Sequence, residues 1–374
     1  MIEPPGGRRL TVLFAPDSFK GSLTSIEVAR ALAAGWARAR PADELLLAPL
    51  ADGGEGTLAA IEAAGGWAWQ TSTVQDPLGR RRAARWLLSS TRDRAVVELA
   101  EASGLSRVAP ADREPVGAHT YGTGELLGAV LDSGVRRITL GIGGSATSDG
   151  GCGLLSALGL SLDPAVSLDR LDPRLAEVDL AVACDVTNPL LGERGAAATY
   201  GPQKGATPEQ VGELDRLLGA WADGLEAATG RRERDTPGAG AAGGVGFGLL
   251  ALQDRFRSFA LRPGIDLVMD ATGFDDKLAR ADLVITGEGR IDAQTAFGKT
   301  ALGVARRAHA RGVPCIAVGG GVTPEGSEAL KGLAVAVPVV ERPQTVEEAM
   351  AAGGAPVERC GERLGGLVSI GVGR

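Results

Sequence analysis

The chain has 374 residues, 44% hydrophobic and 23% charged, a balance that excludes general disorder. Its 39 lysines and arginines against 46 aspartates and glutamates leave a net charge of −7, and with no basic block in the sequence no nucleic-acid footprint is expected. Four cysteines outside any CxxC pair and only two histidines fit neither a zinc site nor a disulfide framework, so hard chemistry falls to carboxylates, lysines and backbone amides.

In chain order, residues 10–15 (LTVLFA) are predicted to be a buried strand, 17–22 a turn and 25–39 a helix. A second strand is expected over 45–50, followed by Asp52-Gly-Gly-Glu-Gly56 and a helix over 57–64. Residues 71–74, 84–88 and 95–99 have strand character and short connecting turns. They form an antiparallel patch that marks a domain boundary near residue 70. Further strands are predicted at 137–140, 182–184, 283–286 and 314–318. Each runs into a polar or Gly-rich turn, the βα pattern of a parallel sheet. The 56 glycines, about twice the ordinary share, cluster at such turns. The Gly- and Ala-rich run 238–252 is too short for a membrane span, and the opening residues lack a secretion signal. A reducing cytoplasm is the expected setting, with no membrane partner.

Ligands of open α/β sheets collect at the carboxyl ends of strands. Six clusters are predicted there: Asp17-Ser18-Phe-Lys20-Gly-Ser22, Asp52-Gly53-Gly-Glu55-Gly56, the run from Gly141 to Gly151, Asp185-Val-Thr187-Asn188, Gly287-Glu288-Gly-Arg290-Ile-Asp292, and Gly298-Lys299-Thr300. Small backbone, hydroxyls, carboxylates and a few cations make the inventory of a phosphoryl-transfer site. Capping is the competing reading for each of Asp17, Asp52, Asp185, Glu288 and Asp292. Gly141 to Ala146 fits GxGxxA, a dinucleotide fingerprint, but the acidic partner it needs would be Asp163, a poor strand terminus. The segment ending in Lys299 and Thr300 lacks the first glycine of a P-loop, with Ala293 in its place. Lys204, in Gly-Pro-Gln-Lys-Gly, is read as either a surface or a functional lysine. Trp and Tyr are too scattered for a base-stacking platform.

Taken together, APDSFKGSL, PLADGGEGT, YGTGELL, GIGGSATSDGG, ACDVTNPLLG, YGPQKGA, PGAGAAGG, ITGEGRID and FGKT, in this order, resemble the type I glycerate kinase family over nearly the whole chain. The resemblance implies an α/β fold: a flavodoxin-like parallel-sheet domain built from both chain ends (1–70 and 281–374) and an inserted mixed α/β middle domain (71–280). It implies ATP-dependent phosphorylation of D-glycerate with Mg²⁺, giving 2-phosphoglycerate in many bacterial members and 3-phosphoglycerate in others. Within that set, Lys20, Arg290, Asp185 and Asp292 are assigned to catalysis, the two aspartates as Mg²⁺ ligands or proton acceptors. Gly143, Gly144, Ser145, Thr147, Asp149 and Lys299 are assigned to the nucleotide. Asp17, Ser18, Lys20, Asp52, Gly53, Glu288 and Arg290 are assigned to the acid. Two departures from the family pattern stand out: Ser148 where an Asn is usual, and a short 160–171 segment. The rival expectations are an NAD-dependent hydroxy-acid oxidoreductase built on 141–146 and a non-catalytic anion-binding protein. The oligomeric state is left open.

Overall fold

The computed structural model describes residues 8–54, 56–297 and 300–372. Its strands, in chain order, are β1 (Thr11–Pro16), β2 (Glu44–Leu47), β3 (Trp67–Gln75), β4 (Arg81–Ser89), β5 (Arg94–Glu98), β6 (Arg137–Gly141), β7 (Asp179–Ala183), β8 (Ser258–Arg262), β9 (Leu283–Ile291), β10 (Cys315–Val322) and β11 (Val335–Pro338). Two compact units result. One comprises Met1–Asp52, Ala59–Gly65 and Val268–Arg374, and the other Gly53–Leu58 and Gly66–Leu267.

The first unit holds a five-stranded sheet, β11-β10-β9-β1-β2, with every pair parallel. Val12, Leu13, Phe14 and Ala15 of β1 are wholly buried, as a central strand covered on both faces requires. The helix Ser25–Ala39 begins with a capping box in which Thr24 and Glu27 satisfy each other's amides, and it buries Val28, Leu32 and Trp36. It packs against the helix Ala355–Val372 at very close range. A Cβ on Gly35 would stand 1.8 Å from the Glu358 carbonyl oxygen, and one on Gly361 would stand 2.2 Å from that of Leu32. In the unit's own numbering the strand order is 5-4-3-1-2, the flavodoxin-like order, so the winding reverses between β1 and β9. A crevice at the carboxyl ends of those two strands follows from the topology alone.

The second unit carries a six-stranded mixed sheet in simple chain order, β3-β4-β5-β6-β7-β8. The first three strands are antiparallel, as expected from their short turns, and β5 through β8 are parallel. Register aligns the last residues of the parallel strands, Glu98 with Gly141, Gly141 with Ala183 and Ala183 with Arg262. The loops that follow them therefore leave from one level. Leu126, Leu127, Val130 and Leu131 of the helix Tyr121–Asp132 pack on this sheet with Leu140, Val182 and Phe247.

Two strands were not expected, β8 and β11. Each is the edge of its sheet and has no fully buried residue; β8 (SFALR) holds only three apolar positions, whereas β11 lies within the apolar run 333–340 (LAVAVPVV), where Pro338 argues against a strand. Over the Gly- and Ala-rich stretch, the helix Ala241–Ala251 is interrupted. Ala242, Gly243 and Gly244 take left-handed angles, with φ of 53°, 68° and 93°. None of the described helices is long and apolar enough to cross a membrane.

Candidate functional site

At the end of β6 the chain enters the turn Gly141–Gly151. Gly143 and Gly144 are exposed, whereas Ser145, Ala146, Thr147 and Ser148 beneath them are buried. Among the described residues, the Gly143 and Gly144 N–H groups donate to no protein acceptor. The Thr147 and Ser148 hydroxyls are buried without a partner. Buried hydroxyls are rarely left so, and these two beside two exposed amides on one short turn are the makings of an anion cradle. The turn is held by neighbours that fit only through missing side chains. A Cβ on Gly143 would meet Gly54 Cα at 2.9 Å, and one on Gly243 would meet the Thr147 carbonyl oxygen at 1.9 Å. Gly53, with φ of 86°, lies against Ala183 at the end of β7.

The turn is also held from its buried side by Lys204. Its Nζ donates to Ser145 Oγ at 2.9 Å and to the Thr147 carbonyl at 2.6 Å. Only 3% of this lysine is exposed, and burial pushes its pKa down to about 7 against the pull of the Asp149 charge. The Asp149 carboxylate, expected among the nucleotide ligands, accepts from the Thr120 amide and hydroxyl at 2.8 and 2.7 Å and from the Gly151 and Gly153 amides. Those four bonds tie the end of the turn to the start of the helix Tyr121–Asp132, so Asp149 shapes the turn. Asp185 follows β7, and its Oδ1 accepts the Gly264 amide at 2.9 Å, just beyond β8.

In the first unit, Asp17, Ser18, Lys20, Asp52 and Glu288 come together by the β1–β9 reversal. Asp17 accepts from the Ser18 amide at 2.6 Å and from the Thr300 hydroxyl at 2.6 Å. Burial, reinforced by the Asp52 charge, raises its pKa above the usual carboxylate value. Lys20 Nζ lies 3.3 Å from Asp52 Oδ2 with its side chain 80% exposed. The Asp52 charge holds its pKa above the ordinary lysine value, with Asp17 and Glu288 adding to the effect. Glu288 is buried and accepts from the Thr295 hydroxyl. Arg290, 71% exposed on its side chain, reaches Asp292 at 3.3 Å, and Asp292 Oδ1 also accepts the Gln294 amide. Gly289 lets this extension of β9 approach the Phe19–Lys20 backbone, which a Cβ would meet at 3.3 Å.

Lys299 lies outside the described residues. The next residue, Thr300, begins the helix Thr300–Ala310 and spends its hydroxyl on Asp17, a P-loop-like ending put to a structural use. The GxGxxA reading also fails. The turn after β6 does not open a helix at Ala146, the helix that follows begins only at Cys152, and Asp163 sits in an exposed loop. Among the described residues no three His, Cys, Asp or Glu side chains are grouped to hold a metal ion. Lys204 is the residue that sequence reasoning left undecided. The available signal was its isolation, since it is the one charge between residues 195 and 206.

Residues 12–369 match the model of the glycerate kinase family. The chain is 44% identical over 373 residues to a glycerate kinase of Halalkalibacterium halodurans, covering 95% of this chain and 97% of that protein. It is 41% identical to the glycerate 2-kinase of Escherichia coli, covering 84% of this chain and 86% of the other. A crystal structure of a Salmonella typhimurium LT2 protein described as glycerate kinase 2 superposes with a TM-score of 0.84 at 40% identity, over 97% of this chain and 99% of that one. With the fold, the strand-end clusters and these full-length likenesses in agreement, the chain belongs to the glycerate kinase family.

Proposed function

We propose that this chain transfers the γ-phosphoryl group of ATP to a hydroxyl of D-glycerate and gives 2-phosphoglycerate. The observation that carries the reading is the turn after β6, where exposed Gly143 and Gly144 amides, unpartnered Thr147 and Ser148 hydroxyls and a buried lysine form a site suited to phosphate. The name of the Escherichia coli relative supports the 2-position for the product.

Nucleotide phosphates would rest on Gly143, Gly144, Ser145 and Thr147, with Asp149 holding the turn's shape. Lys20 and Arg290 are exposed cations, suited to the glycerate carboxylate, with Asp17, Ser18, Asp52 and Glu288 around the hydroxyls. Because the Asp52 charge raises the Lys20 pKa, Lys20 stays cationic at neutral pH. Asp185 and Asp292 suit either Mg²⁺ or the proton leaving the acceptor hydroxyl. Mg²⁺ commonly takes one or two carboxylates plus phosphates and water; when bound, it would neutralise charge on the phosphates. Positioning and charge neutralisation supply most of the rate in such a transfer.

The test is phosphorus NMR of the product after incubation with ATP, Mg²⁺ and D-glycerate. 2-Phosphoglycerate is expected. 3-Phosphoglycerate would correct the position of transfer, and no phosphorylated product from folded protein would overturn the reading.

A further inference from the structure

A buried lysine is an expensive way to brace a loop. Taking an ammonium group out of water costs more than two neutral acceptors return, and an unbranched apolar side chain would fill similar space without that cost. Lys204 nevertheless has only Ser145 Oγ and the Thr147 carbonyl as hydrogen-bond partners, and no carboxylate pairs with it among the described residues. The charged groups near it are Asp149, whose carboxylate is committed to Thr120, Gly151 and Gly153, and Arg113 and Glu114, which line the same small pocket with Leu78, Ala118 and Ala146. The segment that delivers it is tightly made. A 3-10 turn, Pro202–Lys204, is closed by the Lys204 amide on the Gly201 carbonyl at 3.0 Å and leaves through Gly205 at a φ of 99°.

We propose that Lys204 is the positioning residue of the nucleotide turn. Its ammonium group fixes the turn from the buried side at two successive points, so that the Gly143 and Gly144 amides and the Thr147 and Ser148 hydroxyls face one anion, and it places a positive charge beneath that anion. The assignment rests on the reading that the turn after β6 takes the phosphates of ATP. The four donors of that turn are its independent support, because they point to a ligand that the lysine itself does not supply. Burial leaves the Lys204 proton loosely held in the free protein, and an anion on the turn would hold it more firmly. In this arrangement Lys204 touches the turn and not the reacting atoms, so it acts through the geometry and potential of its neighbours.

The experiment compares wild type with Lys204→Met, Lys204→Gln and, as a test of the site itself, Thr147→Val. It measures kcat and both KM values in the glycerate kinase assay, ATP affinity by calorimetry, and Tm. Lys204→Met should raise the ATP KM and Kd at least tenfold and leave the glycerate KM within twofold. Lys204→Gln, which keeps one neutral donor, should fall between Lys204→Met and wild type. A purely structural lysine would lower Tm and active fraction but leave ATP affinity per folded molecule unchanged, and that result overturns the proposal. So does a change confined to the glycerate KM, or failure of both lysine variants to fold. If Thr147→Val leaves ATP affinity unchanged, the turn is not the nucleotide site and the functional reading falls with the proposal. If Thr147→Val weakens ATP while Lys204→Met does not, only the role of Lys204 falls.

Discussion

The two units present polar groups at strand ends in opposite ways. In the first, the reversal between β1 and β9 gathers long charged side chains, of which Lys20 and Arg290 stand largely in solvent. In the second, four parallel strands end level, and the turn after β6 gathers backbone amides, small hydroxyls and one buried lysine, with Glu98, Asp185 and Arg262 at the neighbouring strand ends. Exposed side chains adapt to a small polar molecule at an entropic cost. A rigid backbone turn over a buried charge is suited to an anion of fixed shape. The two arrangements suit different anions, and they should respond differently to mutation.

The largest effects should come from the carboxylates assigned to chemistry. Asp292→Asn in the first unit and Asp185→Asn in the second are each expected to lower kcat roughly 10²- to 10⁴-fold, as loss of a general base does. Near-normal turnover in both would remove these assignments, while loss in one alone would confine the role to that residue. Backbone substitutions should then separate the units. Gly243→Ala places a Cβ 1.9 Å from the Thr147 carbonyl oxygen at a left-handed residue, and destabilisation of about 2–4 kcal/mol in urea melts is expected. Gly321→Ala in β10 meets nothing within 4 Å and should stay within about 0.5 kcal/mol. Equal costs would contradict the reading that the turn after β6 is held by close backbone fit at Gly243.

Smaller again is the loss of an exposed cation. Lys20→Ala should raise the glycerate KM about tenfold, roughly 1.4 kcal/mol, with the ATP KM within twofold. An unchanged glycerate KM would take Lys20 out of the acid's site. The gentlest test uses pH. The Lys204 pKa is about 7 when folded and ordinary, near 10.5, when unfolded. Between those values the unfolded chain holds a proton that the folded protein has released, so this lysine's burial penalty shrinks as pH rises. Relative to Lys204→Met, wild type should gain stability from pH 7 to 9 by up to about 1.4 kcal/mol per unit. Denaturant curves that stay parallel across this range would refute the shift.

Much of this was legible in the sequence for reasons that can be stated. The helix Ser25–Ala39 was read at its observed limits because its apolar spacing and the Thr24–Glu27 cap agree. The loops at strand ends announced themselves because ligand-binding turns concentrate Gly, Asp and Ser in short runs. What stayed hidden depends on contacts far along the chain. Asp149 finds its partner 29 positions back at Thr120, Lys204 meets Ser145 across 59 positions, and Thr300 meets Asp17 across 283. No local pattern distinguishes such a partnered residue from a solvated one. Of the two strands not expected, β8 buries too little to impose an apolar pattern, and β11 lies in an apolar run whose Pro338 argues against a strand.

The glycine-mediated contact between the helices Ser25–Ala39 and Ala355–Val372 carries a consequence for biosynthesis. The ribosome delivers these two helices with residues 40–354 between them, an interval of roughly 15 to 60 seconds at ordinary elongation rates. Throughout that time Val28, Leu32 and Trp36 lack their late-arriving cover, while the continuous stretch 66–267 emerges with its whole sheet and can mature first. The nascent chain is thus most vulnerable to misassociation at its earliest segment, and arrest of translation before residue 355 should leave that segment as a target for holding chaperones.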